Sequence, residues 1–158
     1  MQKIVTNLWF DGRVQEALDL YTSCFEDARV ISVTRYAEAG MGETGDIMTA
    51  GFELAGQEFC IINGGPMYKL TPAMSLHVKC AHQDEVDRLW DRLTSDGGEE
   101  SQCGWLTDRF GVSWQISPIA LGEMMASPDS AAVERVTAAF LGMRKLDIAE
   151  LERAFRDE

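Results

Sequence analysis

The sequence predicts an α+β fold built from two βαβββ modules and a helical C-terminal extension. Three observations predict it: strand-like and helical segments alternate, part of this pattern occurs twice, and residues 127–158 have helical periodicity. A chain of 158 residues with 46% hydrophobic content suffices for one well-buried domain and is too short for two ordinary ones. We therefore expect one domain over residues 1–118, with residues 119–158 packed as part of it.

The first module, about residues 1–66, is predicted to begin with a strand over Gln2–Phe10 that stops at Asp11-Gly12. An amphipathic helix follows, because apolar residues recur at helical spacing from Val14 onward. Three further strands are predicted over Arg29–Arg35, Ile47–Leu54 and Gln57–Asn63. The turn Ala55-Gly56 joins the last two strands into a hairpin.

The second module, about residues 67–118, repeats this order. Ser75–Cys80 reads as a strand, His82–Ser95 as a helix, and Trp105–Asp108 with Val112–Ile116 as a hairpin. Two sets of residues correspond at constant spacing: Glu16, Ala17, Leu20 and Tyr21 with Glu85, Val86, Leu89 and Trp90, and Gly56, Phe59, Cys60 and Ile61 with Gly111, Trp114, Gln115 and Ile116. Helix and hairpin are therefore predicted to be duplicated.

The C-terminal extension is predicted to contain two helices. Ser127 is the expected N-cap of the first, with Pro128 in its first turn, and Asp147 with Glu150 resembles a second cap. Short amphipathic helices are marginal alone in water, so their apolar faces must pack on the body of the protein or on a second subunit.

The charge excludes several classes of partner. Twenty-six acidic residues against fourteen basic ones give a net charge of -12, which repels nucleic acid and anionic lipid surfaces. The sequence shows neither a basic region leading into a long apolar stretch nor the roughly 20 apolar residues of a membrane helix. We expect a soluble cytoplasmic protein whose four cysteines, with no C-x-x-C pair, are reduced thiols.

Several segments resemble the PhnB-like branch of the vicinal-oxygen-chelate (glyoxalase/bleomycin-resistance/dioxygenase) superfamily, a branch named for 3-demethylubiquinone-9 3-methyltransferase. They are Leu8-Trp9-Phe10-Asp11-Gly12, Glu16-Ala17, Gly56-Gln57-Glu58-Phe59, Asn63-Gly64-Gly65-Pro66 and, most distinctive, the run from Cys103 to Ile116. The similarity spans most of Met1 to Pro118. It implies paired βαβββ modules whose curved sheets form a ligand cavity, commonly in a homodimer.

Metal-dependent relatives use His, Glu or Gln at paired positions of the two modules. Carried onto this sequence, those positions fall near Val5 or Asn7, near Cys60, near Ala73 and at Gln115. Only Gln115 has a side chain that the relatives use, so no metal and no other cofactor is expected. A divalent metal is the less favoured alternative, and an alignment shifted by a few residues would bring in His77.

The methyltransferase name does not predict the activity. Methyltransferases that use S-adenosylmethionine normally have a doubly wound sheet with a Gly-rich turn that opens a helix. The only such pattern, Gly40-x-Gly42-x-x-Gly45, runs into the strand-like Ile47-Met48-Thr49. S-adenosylmethionine methyltransferase activity is therefore not expected, and whether the protein is an enzyme stays open.

The candidate ligand-binding residues are Asn7, Trp9, Cys60, Asn63, His77, Trp114 and Gln115. Each has a structural alternative: a hydrogen-bonded buried amide for Gln115, a small apolar residue for Cys60, a turn residue for Asn63, a structural hydrogen-bonding residue for His77, and core packing for the tryptophans. No catalytic residue is assigned. The favoured function is binding of an unidentified small molecule without a glyoxalase I-type metal. The alternatives are a metal-dependent lyase, isomerase or dioxygenase-like enzyme, and a stoichiometric sequestering or resistance protein.

Overall fold

The computed structural model describes residues 2–158, which form two compact units; the first ends at Leu70 and the second is Thr71–Glu158. The described part of the first unit contains β1 (Thr6–Phe10), α1 (Val14–Cys24), β2 (Arg29–Arg35), β3 (Ile47–Leu54) and β4 (Gln57–Asn63). These strands form one sheet in the order β1-β4-β3-β2. Strand β1 is parallel to β4, and the other neighbours are antiparallel.

Helix α1 covers one face of this first sheet. Its buried residues include Ala17, Leu18 and Tyr21, and the ring of Tyr21 stacks on Phe52 of β3 with 5.9 Å between ring centroids. Strand β3 alternates between buried and less buried residues, as expected when only one face of a strand meets a helix. The other face of the sheet carries the less buried residues that alternate with these buried ones, and we call it the open face of the first unit.

The second unit begins with the same order of elements: β5 (Leu76–Cys80), α2 (Gln83–Thr94), β6 (Glu99–Glu100), β7 (Trp105–Thr107) and β8 (Ser113–Pro118). The sheet order is β5-β8-β7-β6, with β5 parallel to β8. Helix α2 buries Val86, Leu89, Trp90 and Leu93. Both units thus have the βαβββ topology, which confirms the predicted α+β class.

The C-terminal extension belongs to the second unit. It contains α3 (Ile119–Met125), α4 (Ser130–Leu141) and α5 (Ile148–Arg156), which share a small apolar core around Val136 and Leu151. Gln83 of α2 joins this core to the module, since its amide donates to the carbonyl of Leu146 and accepts from the backbone N–H of Ile148. Lys145 adds an ion pair with Asp87 at 2.8 Å.

The caps of the extension agree only in part with the prediction. Asp147 caps α5 as predicted, accepting from the N–H of Glu150. The proposed cap at Ser127 is wrong: α4 is capped by Asp129, whose carboxylate accepts from two backbone N–H groups, and Pro128 precedes that cap. A carboxylate suits a helix N-terminus better than a hydroxyl because it also interacts with the helix dipole. Helix α3 was not predicted.

Candidate functional site

The pairing of β1 with β4 places two candidate residues side by side. Asn7 is level with Cys60, and Cys60 is level with Gly51 of β3, so the three lie in one row on the open face of the first unit. The amide of Asn7 donates to the carbonyl of Val5 at 3.0 Å and leaves its oxygen on an exposed surface. Gly51 adds no side chain, and the hydroxyl of Ser32 on the neighbouring strand takes up that space, since it would lie 2.7 Å from a Cβ at Gly51.

The thiol of Cys60 is unsuited to act as a thiolate. Burial raises its pKa, and its sulfur lies 3.6 Å from the carbonyl oxygen of Ile61. A protonated thiol is a poor nucleophile and a poor metal ligand. Cys60 is a small, weakly polar lining residue, and within residues 2–158 neither it nor Cys24, Cys80 or Cys103 forms a disulfide.

Trp9 packs against the turn that follows β4. Its indole N–H donates to the carbonyl of Gly65 at 2.8 Å, and the ring of Tyr68 meets it edge-on with 4.9 Å between centroids. A Cβ added to Gly64 would lie 2.1 Å from the indole, so this position requires glycine. The motifs containing Trp9 and Gly64-Gly65 thus contact each other, and the indole's main contacts are structural.

Asn63 uses both ends of its side chain to hold the first unit together. Its carbonyl oxygen accepts from the N–H of Gly12 at 2.8 Å, and its amide donates to the carbonyl of Ile47 at 2.9 Å. The hydroxyl of Tyr36 donates to its backbone carbonyl. Asn63 therefore joins the β1–α1 turn to the start of β3.

A cavity of about 360 Å³ lies beside Asn63, at the N-terminus of α1. Its lining is Gly12, Arg13, Val14, Gln15, Glu16, Arg35, Asp46, Ile47 and Asn63. Arg13 forms an ion pair with Glu16 at 2.9 Å, and Arg35 donates to the carbonyl of Gly45 at 2.8 Å. The charges of the two arginines and the two acidic residues cancel, so the lining of this cavity favours neither anionic nor cationic ligands. Sequence reasoning missed it because Arg35 and Asp46 flank a long loop.

In the second unit, His77 is level with Gln115 and Gln115 is level with Trp105. The amide of Gln115 donates to the hydroxyl of Ser75 at 2.9 Å and is half-buried, while His77 is exposed. Ala73, near which the resemblance placed the ligand of the first strand, lies before β5, which begins at Leu76. The residue of β5 that is level with Gln115 is His77, the residue that a shifted alignment would bring in.

Trp114 faces away from this row and belongs to the core. It is 1% exposed and its indole N–H donates to the carboxylate of Asp108 at 2.9 Å. The neighbouring Ser113 is 3% exposed and, by strand alternation, shares the face of Gln115. Sequence reasoning passed over Ser113, although its position two residues before Gln115 on a predicted strand was the available signal.

The donor set does not fit a glyoxalase I-type metal centre. In each unit, two candidate residues lie directly opposite each other across the parallel strands, and we call them the level pairs: Asn7 with Cys60, and His77 with Gln115. Neither pair has a carboxylate. His77 would supply one imidazole ligand, but the other three side chains, two neutral amides and a protonated thiol, are weak ligands for a divalent ion. Within residues 2–158, no group of three or more His, Cys, Asp or Glu side chains is placed to hold a metal ion. Nor is any helix in this range long and apolar enough to cross a membrane.

Two modules of βαβββ topology, each with one parallel strand pair flanked by antiparallel strands, define the vicinal-oxygen-chelate class of fold. The sequence matches the family described as 3-demethylubiquinone-9 3-methyltransferase over residues 2–117, and the chain belongs to this family. The family resemblance drawn from the sequence motifs is thereby confirmed. The two four-stranded sheets differ from the doubly wound sheet of the usual S-adenosylmethionine enzymes, so the family description assigns no activity here.

Solved structures support the same assignment. A PhnB protein from Bacillus cereus, whose description carries the same methyltransferase name, is 39% identical with a TM-score of 0.69, over 74% of this chain and 99% of its own. A protein from Pseudomonas aeruginosa is 21% identical with a TM-score of 0.62, over 75% and 98%. The fosfomycin resistance protein FosX from Listeria monocytogenes, complexed with Mn(II) and sulfate, is 17% identical with a TM-score of 0.52, over 72% and 90%. No curated protein matches the sequence.

Proposed function

We propose that this protein binds a small organic molecule at the open faces of its sheets and does so without a divalent metal. The single observation that carries the proposal is the level pair of His77 and Gln115. The amide of Gln115 is half-buried and held by Ser75, so a polar group lies in a fixed orientation on a sheet face that α2 does not cover. Ligand sites typically combine apolar lining with a few such oriented polar groups.

The absence of carboxylates from both level pairs favours this function over metal-dependent lyase, isomerase or dioxygenase-like activity. Elemental analysis of protein purified without chelator tests this choice, before and after incubation with nickel, zinc, manganese and iron under reducing conditions. We expect well below one ion per chain in every case. A tightly held ion near one per chain would contradict the proposal and lead to glyoxalase and dioxygenase assays.

Ligand binding is tested by a fragment screen with ligand-observed NMR on the metal-free protein. Hits are repeated with Gln115→Ala and with a matched control, Gln57→Ala, which removes an exposed glutamine from β4. We expect hits that lose affinity in the first variant and keep it in the second. Hits that ignore Gln115 would contradict the site. Turnover of any hit would exclude stoichiometric sequestration as a complete account.

The proposal includes a homodimer in the cytoplasm. Strand β2 lies at the edge of its sheet, and its Val30, Ile31 and Val33 are each more than 40% exposed. An exposed apolar edge strand favours association with a second strand. Analytical ultracentrifugation of the protein and of Val33→Lys tests this: we expect a dimer that the substitution weakens. A protein that is monomeric at high concentration would contradict the proposal.

A further inference from the structure

The cavity of about 360 Å³ beside the N-terminus of α1 lies on the side of the first sheet that carries this helix, not on the open face. Its lining includes Ile47, one of the buried residues that β3 turns toward α1, and Arg35, which is level with Ile47 on β2. Ligand pockets have volumes of roughly 300–1,000 Å³. The cavity is therefore large enough for a small molecule, and it is separate from the open-face site.

The walls of this cavity are held in place by hydrogen bonds between segments that are distant in sequence. The side chain of Asn63 accepts from the N–H of Gly12 at 2.8 Å and donates to the carbonyl of Ile47 at 2.9 Å. The N–H of Tyr36 donates to the carbonyl of Asp46 at 2.9 Å. A site whose walls are already ordered loses less conformational freedom when a ligand binds.

The charged residues of the lining differ in how far they are neutralised. Arg13 and Glu16 form an ion pair with each other at 2.9 Å. The guanidinium of Arg35 donates to a neutral acceptor, the carbonyl of Gly45, at 2.8 Å. The carboxylate of Asp46 makes no hydrogen bond or ion pair within residues 2–158, and no ion pair joins it to Arg35. Arg35 and Asp46 thus offer opposite charges to the same cavity.

The wider charge distribution disfavours ligands that carry charge of one sign only. A net anion is repelled by the net charge of -12 and by Asp11 and Glu43, which lie in the turn and the loop next to the lining. A net cation would bring its charge close to the guanidinium of Arg35. A zwitterion avoids both costs, and Val14 and Ile47 give the lining an apolar part.

We infer that this cavity is a second ligand site, which binds the zwitterion of an α-amino acid with a short apolar side chain. Arg35 binds the carboxylate, Asp46 binds the ammonium group, and Val14 and Ile47 contact the side chain. The inference goes beyond the proposed function, because it uses no residue of the level pairs. Hydrogen bonds between charged groups are stronger than those between neutral groups, so each charged end of the ligand adds to affinity.

The test compares three probes of similar shape: L-leucine, 4-methylpentanoate, which lacks the ammonium group, and 3-methylbutylamine, which lacks the carboxylate. Each is titrated into isotopically labelled full-length protein and followed by amide chemical shifts. We expect L-leucine to shift the resonances of Gly12, Val14 and Ile47 and to saturate them below about 10 mM. Each analogue should bind at least about threefold more weakly, because it loses one of the two charged contacts.

Two variants test the roles of the charged residues separately. Arg35→Gln should weaken L-leucine about three- to tenfold and remove its advantage over 3-methylbutylamine, while its advantage over 4-methylpentanoate remains. Asp46→Asn should have the opposite effect on the two advantages. A merely structural effect would not exchange the selectivity in this way. The matched controls Arg29→Gln and Asp27→Asn remove exposed charges outside the cavity and should change affinity by less than about twofold.

Three results would each overturn the inference: no saturable shift with L-leucine, an analogue that binds wild type as tightly as L-leucine, or variants that leave the selectivity unchanged. If Arg35→Gln failed to fold, the wild-type probe series and Asp46→Asn would still decide. The proposed function fails separately. A tightly held metal ion would refute the proposed function and leave this site standing, whereas fragments that depend on Gln115 without any response to L-leucine would do the reverse.

Discussion

Asp108 is the residue whose replacement most directly tests how the second unit is held together. Its carboxylate is 3% exposed, and one oxygen accepts from the backbone N–H groups of Phe110 and Val112 at 2.9 and 3.0 Å. The other oxygen accepts from the indole N–H of Trp114 at 2.9 Å. The carboxylate thus fixes both the β7–β8 turn and the largest core side chain of β8.

Asp108→Asn preserves the shape and changes the hydrogen bonding. Asparagine has one acceptor oxygen and an amide that cannot accept, so either the turn or the indole must lose its bond and face another donor. A hydrogen bond to a charged group contributes about 1.5–3 kcal/mol, and a buried donor left unpaired adds to the loss. We expect a loss of about 2–4 kcal/mol in the free energy of unfolding, which corresponds to about 5–15 °C in melting temperature.

Far-ultraviolet circular dichroism during thermal and urea unfolding measures this loss. The matched control is Asp27→Asn, at an exposed position in the turn after α1, for which we expect a change within about 0.5 kcal/mol. Asp108→Asn should also alter the near-ultraviolet spectrum, because Trp114 loses its fixed environment. If the two variants were equally stable, the carboxylate would not hold the turn and this reasoning would be refuted.

Three further predictions concern positions with well-defined geometry. Gly104 has φ of +80°, and a Cβ added there would lie 2.8 Å from a backbone carbonyl oxygen, so Gly104→Ala should lower the free energy of unfolding by at least about 2 kcal/mol in a urea titration. Its control is Gly122→Ala, in a helix with free space around the added Cβ, which should be neutral or stabilise by up to about 1 kcal/mol. The hydrogen bond from Lys145 lowers the pKa of Asp87, so the stabilisation from this pair is complete above the ordinary Asp pKa of 3.8 and is lost as the pH falls through the lower pKa of the folded state. Melting curves of wild type and Lys145→Met should therefore differ by less than about 1 kcal/mol near neutral pH and converge in acid. A stability difference that persists in acid would contradict the assignment. Asn63→Ala should cost about 2–3 kcal/mol by urea unfolding and Asn63→Asp roughly half of that, because aspartate keeps the acceptor and loses the donor; equal losses would show that only the donor matters.

The secondary structure was predictable where one face of an element must be buried. Strands Ile47–Leu54 and Gln57–Asn63 were predicted with the bounds that the structure shows, because alternation ends at the tight turn between them. Helix α3 was missed because Ile119–Met125 follows β8 directly, and its N-cap residue, Pro118, makes no side-chain cap. Its stability comes from packing against α4 and α5, which the local sequence does not express.

The open-face residues were harder to predict because their positions depend on strand pairing. The sequence did not show that β5 begins after Ala73, at Leu76, or that its register with β8 puts His77 level with Gln115. A one-residue slip turns every side chain to the other face, so residue type alone does not locate a site.

The difference between the two units explains why the fold is easier to read than the ligand. In both, the residues that meet the helix are apolar, because their burial stabilises each module in the same way whatever the module binds. The level pairs on the open faces differ, Asn7 with Cys60 in one unit and His77 with Gln115 in the other. No packing requirement ties these pairs to one another, so each is free to follow the chemistry of the ligand. The duplicated pattern therefore identifies the family, and the ligand must be sought where the duplication breaks down.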